Sequence, residues 1–241
     1  MKLITCKSNE ELANKVYETF LKYLDGVQDP VIGFATGSSP ISFYNLLIKK
    51  YKEGLISFKD FKSFNLDEYL GLAKTHSQSY AKIMRETLFN HVDFDDQYIF
   101  NLNGDATDMN EEINRYESLL EKYRIDIQIL GIGSNGHIAF NEPQTPLNMG
   151  VHVIDLDKQT IEDNSRFFST KSEVPKKAIT MGPKNILHAK KIILIAQGYN
   201  KAQAVKDMFW SDITKEVPAS ILQLHRHVTV ITDKEASALI K

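Results

Sequence analysis

The feature that most constrains the fold is a regular alternation of short apolar runs with segments of helical periodicity. The run 2–6, KLITC, precedes the helix-start signal formed by Ser8 and Glu11, and VIGFAT at 31–36 precedes a segment that opens with Pro40. Apolar runs of similar length recur along the remaining sequence. Repeated strand–helix–strand units favour an α/β fold, in which a single doubly wound, mostly parallel sheet carries helices on both faces.

The length of 241 residues suits one large α/β domain. No repeat, low-complexity tract or linker rich in proline, serine and glycine divides the chain, so residues 1–241 are predicted to form a single domain. Helical spacing predicts α-helices at 77–89, 184–190, 201–210 and 219–224. The polar stretches 144–149 and 157–176 are expected to be loops, either a lid over a site or a surface connection.

Composition and charge argue against several classes of function. A formal net charge of -2 without a basic tract disfavours binding to nucleic acid or to a membrane surface. Cys6 is the only cysteine, which rules out a disulfide within the chain and favours a reducing compartment. The first residues become polar too soon for a signal peptide, and no apolar stretch approaches the roughly 20 residues of a membrane helix. We therefore expect a cytoplasmic protein.

The segment 130–143, LGIGSNGHIAFNEP, contains the G-x-G-x-x-G spacing of dinucleotide-binding turns. That interpretation requires a helix to begin at the third glycine, whereas the sequence continues with polar residues and two prolines. We therefore reject NAD binding and expect a tight turn at the carboxyl end of a strand, where α/β proteins bind ligands. The turn presents His137 with Glu142 five residues later, and a carboxylate on one ring nitrogen would leave the other nitrogen as a base. Taken alone, either residue could equally be structural.

The segment 31–40, VIGFATGSSP, predicts an anion-binding turn. A buried strand runs into Thr36, Gly37, Ser38 and Ser39 before the helix begins. Backbone N–H groups, hydroxyls and the positive end of the helix dipole suit a phosphate there. The lysine of a nucleoside-triphosphate loop is missing, so the expected ligand is a phosphate monoester. The alternative is that the segment supplies only a helix N-cap and a turn glycine.

An acidic pair follows a third apolar run in FNLDEYLGL, 64–72. Asp67 or Glu68 could abstract a proton from carbon or bind a divalent metal, or one of them could merely cap a turn. The seven histidines show no zinc-type spacing, and one cysteine provides little for a structural metal. The sequence therefore predicts no metal site.

Taken together, these segments resemble the glucosamine-6-phosphate deaminase family. The likeness extends through TGSSP, FNLDEYLGL, GHIAFNEP, NSRFF at 164–168, GYNKAQAV at 198–205 and LQLH at 222–225. FNLDEY and GHIAFNEP are highly specific in combination. The resemblance implies a Rossmann-like fold of the sugar-phosphate isomerase type. It also implies an enzyme of amino-sugar catabolism that converts glucosamine 6-phosphate and water to fructose 6-phosphate and ammonium, without a metal or organic cofactor.

The resemblance further implies a role for each matching residue. His137, supported by Glu142, would act as base and acid to open the sugar ring, and Asp67 would remove the C2 proton and return a proton to C1. The residues that match the family's phosphate-binding set are Thr36, Gly37, Ser38, Ser39, Arg166 and Lys201. These types suit the task, because a phosphate is well held by helix N–H groups, a forked guanidinium and an ammonium.

Two features depart from parts of the family. Asn135 stands beside the expected catalytic histidine, where some members have an aspartate. An amide can orient His137 but cannot balance the charge of an imidazolium, so Glu142 is expected to carry that electrostatic role alone, with an altered pH profile. The chain ends at Lys241, whereas longer relatives that respond to N-acetylglucosamine 6-phosphate have an additional C-terminal segment, so allosteric activation is not expected.

Two other functions compete with this interpretation. A 6-phosphogluconolactonase shares the broad fold and a phosphate loop, but lactone hydrolysis needs no base at C2. A non-catalytic sugar-phosphate sensor would usually carry a DNA-binding helix-turn-helix, for which there is no room before KLITC. The expected partner is thus a small amino-sugar phosphate, not nucleic acid or a membrane, and the sequence does not distinguish a monomer from a homo-oligomer.

Overall fold

The computed structural model describes residues 1–240, in which ten strands and seven α-helices alternate along the chain. The strands are β1 (Lys2–Cys6), β2 (Val31–Phe34), β3 (Lys62–Asn65), β4 (Asp67–Tyr69), β5 (Ile99–Phe100), β6 (Ile127–Leu130), β7 (His152–Asp155), β8 (Lys177–Thr180), β9 (Lys191–Ala196) and β10 (Val228–Asp233). The α-helices are α1 (Asn9–Leu24), α2 (Ile41–Lys52), α3 (Tyr80–Thr87), α4 (Met109–Lys122), α5 (Lys158–Ser165), α6 (Pro183–His188) and α7 (Ala202–Trp210).

Seven strands form one parallel sheet in the order β1-β10-β9-β6-β2-β3-β5. The predicted α/β class with a mostly parallel sheet is therefore confirmed. From β2 the chain proceeds outward to β3, whereas from β6 it proceeds outward to β9 on the opposite side. The strand order thus reverses between β2 and β6, and the loops at their carboxyl ends diverge into a crevice, which is the usual position of a ligand in such sheets.

Helix α1 shows how local sequence signals produce these elements. The hydroxyl of Ser8 accepts a hydrogen bond from the backbone N–H of Glu11, while the Glu11 carboxylate accepts one from the N–H of Lys7. Together they satisfy two of the orphan N–H groups near the helix start. The apolar positions then bury Leu12, Val16 and Phe20. The predicted strand 2–6 and the helix that follows it are both confirmed.

A second, antiparallel sheet of three strands, in the order β4-β8-β7, was not predicted. The chain leaves the parallel sheet after Asn65, and β4 begins only two residues later. Apolar patterning marks both segments as extended but does not say which strand each one pairs with. The small sheet has a separate apolar cluster, whose buried members are Tyr69, Phe140, Leu156 and Ala178.

Several predicted element types and boundaries were wrong. The stretch 157–176, expected to be a loop, contains α5, which begins where the Asp157 carboxylate accepts the N–H of Gln159. The segment expected to be an α-helix at 219–224 is the 3₁₀ helix Pro218–Leu224. Pro40 is the N-cap of α2 rather than its first residue. None of the helices within residues 1–240 combines the length and apolar character that a membrane span requires.

Candidate active site

A cleft of about 690 Å³ opens at the reversal point of the parallel sheet. Eight of the predicted site residues line it: Thr36, Gly37, Ser38, Ser39, Asp67, His137, Arg166 and Lys201. They come from the segments that follow β2, β6 and β9, from the start of β4, and from the end of α5. Because the carboxyl ends of parallel strands share one edge, residues far apart in sequence converge there. Asn135 and Glu142, the other two, lie directly behind His137.

The turn 36–39 joins β2 to α2. Gly37 has a φ of +102°, a backbone conformation that residues with a Cβ rarely adopt. The Tyr44 hydroxyl, one turn into α2, donates to the carbonyl of Ala35 at 2.6 Å and so fixes the loop to the helix. The alternative in which Ser39 serves as the N-cap is wrong, since Pro40 holds that position without a side-chain cap. The residues of this turn therefore line the cleft beside the N-terminus of α2.

The glycine-rich segment after β6 forms a tight turn. Gly136 has a φ of +85°, and the residues after it form turns with a short bridge between Ile138 and Asn141. In the described structure no helix begins at Gly136, where a dinucleotide-binding motif needs one. A Cβ at Gly133 would overlap the imidazole of His137. The glycines therefore let the backbone approach His137 closely and present its ring to the cleft.

His137 and Glu142 form a pair at the base of this turn. The Nδ1 atom of His137 lies 3.3 Å from Oε2 of Glu142, and the Thr160 hydroxyl lies 3.4 Å from the same nitrogen. Burial alone would raise the pKa of Glu142, but the hydrogen bond and charge of His137, with donors from Thr160 and Asn135, hold that pKa below its usual range. A proton on Nδ1 satisfies the carboxylate and leaves Nε2 able to accept one.

Asn135 connects the two members of the pair. Its amide nitrogen donates to Oε2 of Glu142 at 2.9 Å, and its amide oxygen accepts the backbone N–H of His137 at 3.2 Å. The side chain thus bridges the carboxylate and the backbone of His137, so it acts on the imidazole through Glu142. An amide adds no charge at this position, and Glu142 is therefore the residue that balances a protonated His137.

Asp67 lies at the start of β4, across the cleft floor from this turn. It is 6% exposed, and its pKa is raised well above the usual range, first by burial and then by the negative charge of Glu68. A carboxylate that is poorly solvated and lies beside another negative charge binds a proton more strongly. The raised pKa makes the Asp67 carboxylate a stronger base than that of an ordinary aspartate.

Glu68 has a structural position rather than one in the cleft. Its carboxylate accepts four hydrogen bonds, from the N–H groups of Tyr69, Tyr80 and Ala81 and from the hydroxyl of Ser79. It therefore fixes the beginning of α3 to β4, and burial raises its pKa despite these donors. The sequence left several alternatives open for this acidic pair. In the structure Glu68 has the capping position, whereas Asp67 lines the cleft.

A second wall of the cleft is built by α5, which contacts the turn of His137 through Thr160, and by the residues just before α7. The guanidinium of Arg166, at the end of α5, lies over the Phe167 ring at 4.7 Å from its centroid. Lys201 precedes α7; burial lowers the pKa of its ammonium, and the positive Arg166 nearby acts in the same direction while Asp163 opposes it. Two cations held this close to each other favour an anionic ligand between them.

Several cleft residues were missed by the sequence analysis. Tyr80, Asp163, Asn164 and Phe167 also line the cleft. The segment NSRFF contains two of them, but only Arg166 was assigned a role, because the polar composition around it showed no periodicity. The N-cap residue Asp157 was the signal that could have revealed α5. Among residues 1–240, no group of three or more His, Cys, Asp or Glu side chains is arranged to hold a metal ion.

The fold and the cleft first define a class: a doubly wound α/β protein that gathers carboxylates, a histidine and two cations at the reversal point of its sheet. Within this class, the model of the glucosamine-6-phosphate isomerase/6-phosphogluconolactonase family matches residues 7–231. The chain belongs to this family, as the sequence motifs predicted.

Individual relatives agree with this assignment. A glucosamine-6-phosphate deaminase from Clostridium novyi (strain NT) is 49% identical and one from Streptococcus uberis (strain ATCC BAA-854 / 0140J) is 48% identical, each match covering 99% of both chains. A solved structure described as a monomeric glucosamine-6-phosphate deaminase is 40% identical, has a TM-score of 0.96, and covers 99% of this chain and 100% of its own. The 6-phosphogluconolactonase from Trypanosoma cruzi, at 22% identity, shares the fold with a TM-score of 0.77 over 100% of this chain and 97% of its own.

Proposed function

We propose that this chain converts glucosamine 6-phosphate and water to fructose 6-phosphate and ammonium; the relatives described above that are named glucosamine-6-phosphate deaminases support this proposal. The observation that carries the proposal is the presence, in one cleft, of a buried carboxylate with a raised pKa and a separate His–Glu pair. Ring opening and proton transfer between carbons need two such groups with different proton affinities.

The phosphate binds at the turn 36–39 and near the two cations of the cleft, Arg166 and Lys201. The helix N-terminus and hydroxyls of the turn provide directed donors, and Arg166 and Lys201 provide charge. A phosphate monoester carries between one and a half and two negative charges at neutral pH. Anchoring it at one end of the cleft places the sugar carbons beside the proton-transfer groups, which removes several kcal/mol from a barrier by positioning alone.

Ring opening is assigned to His137. Its Nε2 accepts the proton of the C1 hydroxyl and then, as the imidazolium, gives a proton to the ring oxygen O5 as the C1–O5 bond breaks, which yields the open-chain aldehyde and restores the neutral imidazole. During this transfer the imidazole becomes positive. Glu142, which stays ionised because its pKa is low, stabilises that charge and fixes the ring tautomer.

Isomerisation and deamination are assigned to Asp67. Its carboxylate removes the C2 proton, and the C1 oxygen takes up a proton released by the substrate's own ammonium group, which gives a neutral enolamine. Asp67 then returns a proton to C1, which places the double bond between C2 and nitrogen. Water adds at C2 and ammonium leaves, giving the ketose. A carboxylate with a raised pKa suits both halves of this transfer, since it holds the proton between them.

The rival functions make less use of this cleft. Hydrolysis of 6-phosphogluconolactone is an attack of water on an ester. It does not require a buried base to remove a proton from C2. The likeness to lactonases at 22% identity concerns the fold. A sugar-phosphate sensor would need the phosphate turn but neither Asp67 nor the His–Glu pair. Since a charged sugar phosphate does not cross a bilayer unaided, we also propose that the chain works in the cytoplasm.

The test is product stoichiometry. Purified, chelator-treated protein is incubated with glucosamine 6-phosphate, and ammonium and fructose 6-phosphate are measured in the same samples. The proposal predicts equal release of both without added metal. Hydrolysis of 6-phosphogluconolactone without ammonium release would move the function to the lactonase, and sugar-phosphate binding without turnover of either substrate would indicate a sensor.

A further inference from the structure

We propose that Thr180 is a positioning residue of this reaction, which sets the strand of Asp67 and the turn of His137 and Glu142 relative to each other. The inference rests on the proposed function. It starts from the register of the small sheet, in which Thr180 of β8 lies directly opposite Asp67 of β4. Directly opposite residues of antiparallel strands have Cβ atoms about 5 Å apart and share one face of the sheet. Thr180 is fully buried.

The Thr180 hydroxyl also reaches the catalytic turn. It accepts a hydrogen bond from the backbone N–H of Phe140 at 3.2 Å. Phe140 lies between His137 and Glu142 in the sequence. The Thr180 side chain is therefore next to Asp67, the proposed C2 base, in the small sheet. It is also hydrogen-bonded to the turn that is proposed to open the sugar ring.

Neighbouring contacts complete the connection. The amide nitrogen of Asn141, a fully buried residue, donates to the carbonyls of Ile138 and Met181, each at 2.8 Å. The N–H of Met181 in turn donates to the carbonyl of Leu66 at 2.8 Å. The end of β8 is thus hydrogen-bonded both to the turn and to the residue immediately before Asp67. These bonds are buried, so water cannot replace them without a rearrangement.

The turn needs such support because it contains an unfavourable backbone conformation. Ala139 has a φ of +51°, in the left-handed region that non-glycine residues rarely adopt. Conformations of this kind persist when the surrounding structure holds them, and they concentrate at functional sites. The N–H that Thr180 binds belongs to the residue directly after Ala139. The hydroxyl therefore holds the turn at the point where it would otherwise relax.

The consequence is a geometric requirement on catalysis. The open-chain substrate must meet His137 and Asp67 in succession while its phosphate stays anchored. A displacement of about 1 Å between catalytic groups can lower the rate on the order of 100-fold. Binding of the phosphate uses other elements, the turn 36–39 with Arg166 and Lys201, so loss of the Thr180 hydroxyl should reduce kcat and leave KM nearly unchanged.

Thr180→Val and Thr180→Ser test the proposal. Valine keeps the shape but leaves the N–H of Phe140 without its acceptor, whereas serine keeps the hydroxyl. We expect kcat for glucosamine 6-phosphate to fall about 10- to 100-fold in Thr180→Val, with KM within about twofold, and to stay within about threefold in Thr180→Ser. Should Thr180→Val fail to fold, Thr180→Ala, which removes the hydroxyl without adding bulk, replaces it in the same comparison.

Thr229→Val is the matched control. Thr229 is 5% exposed on β10, and its hydroxyl shares a hydrogen bond of 2.8 Å with the Tyr23 hydroxyl. This variant should lower the thermal midpoint as Thr180→Val does, yet keep the wild-type kcat. Equal kcat losses in the two variants, or a Thr180→Val enzyme with wild-type kcat, would overturn the inference. Absence of deamination by the wild type would instead overturn the proposed function.

Discussion

The two walls of the cleft are held to the rest of the molecule in different ways. The proton-transfer wall, Asp67 and the turn 135–142, is fixed by buried hydrogen bonds, and Glu142 is only 3% exposed. The α5 wall, formed by α5 with Arg166 and Phe167, has a single buried residue in the helix, Thr160, and its Phe167 is 45% exposed. The difference agrees with the proposed function, in which preorganised groups perform the chemistry and a less buried segment contributes to phosphate binding.

Asp67→Asn should give the largest effect and tests the proton-transfer wall directly. Asparagine has nearly the same shape but cannot accept the C2 proton, so kcat should fall about 1000-fold with KM little changed. In the wild type, kcat should rise with pH as Asp67 loses its proton. Because the pKa of Asp67 is raised, this rise should lie above the ordinary aspartate value of about 3.9. Steady-state kinetics measured from about pH 4 to about pH 9 would show both the lower kcat of Asp67→Asn and the position of the rise in the wild type.

Glu142→Gln should give the next largest loss. The amide preserves the size of the side chain but removes the charge that balances a protonated His137, so kcat should fall about 10- to 100-fold. The low pKa of Glu142 keeps it ionised through neutral pH, and the loss should therefore persist across that range. Glu121→Gln, on the exposed side of α4, is the control and should match the wild type. Equal activity of Glu142→Gln and the control would remove Glu142 from the ring-opening step.

Arg166→Ala should change KM rather than kcat. A hydrogen bond to a charged group contributes about 1.5–3 kcal/mol, so loss of the guanidinium should raise KM about 10- to 100-fold while kcat changes about threefold or less. Lys158→Ala removes an exposed cation from the first position of the same helix and should leave KM unchanged. If Arg166→Ala lowered kcat and spared KM, the two walls would not divide the labour as described.

The smallest predicted effect concerns stability. Folding raises the pKa of Asp67, so the ionised carboxylate disfavours the folded state at pH values above its ordinary range. Asp67→Asn should therefore raise the thermal midpoint at pH 7 by roughly 2–4 °C, as expected for about 1 kcal/mol in a chain of this length. The gain should shrink as the pH falls through the raised pKa of the folded state, and it should vanish below the ordinary aspartate value of about 3.9, where the wild-type carboxyl is protonated in both states. Asp60→Asn, at an exposed aspartate, should leave the midpoint unchanged.

The parallel sheet and the proton-transfer wall could be predicted from the sequence because their signals are local. Ser8 and Glu11 mark the start of α1, and the apolar run before Gly131 marks β6. The carboxyl ends of such strands converge by topology, so the catalytic candidates could be grouped before any coordinates were known. The positions of these candidates relative to one another could not be predicted, since they depend on contacts between segments that are distant in the sequence.

The small sheet and the α5 wall could not be predicted in the same way. The polar sequence of α5 buries only one side chain, so the apolar periodicity that reveals other helices is missing. The pairing of Asp67 with Thr180 depends on strand register across more than a hundred residues, which no local pattern encodes. No local sequence pattern therefore marks Thr180, although it connects the strand of Asp67 to the turn of His137.

The central claim, that Asp67 transfers a proton between C2 and C1 in this cleft, is tested most directly by running the reaction in D₂O and examining fructose 6-phosphate by NMR. The account predicts that in the wild type a single, stereospecific C1 position receives the new hydrogen as ammonium is released; this hydrogen is deuterium where the Asp67 carboxyl exchanges with the solvent before the return, and otherwise protium from C2. Asp67→Asn, folded and still binding substrate, should show neither a new hydrogen at C1 nor ammonium over the same interval. Incorporation by Asp67→Asn at the wild-type rate would contradict the account and assign the proton transfer to another group.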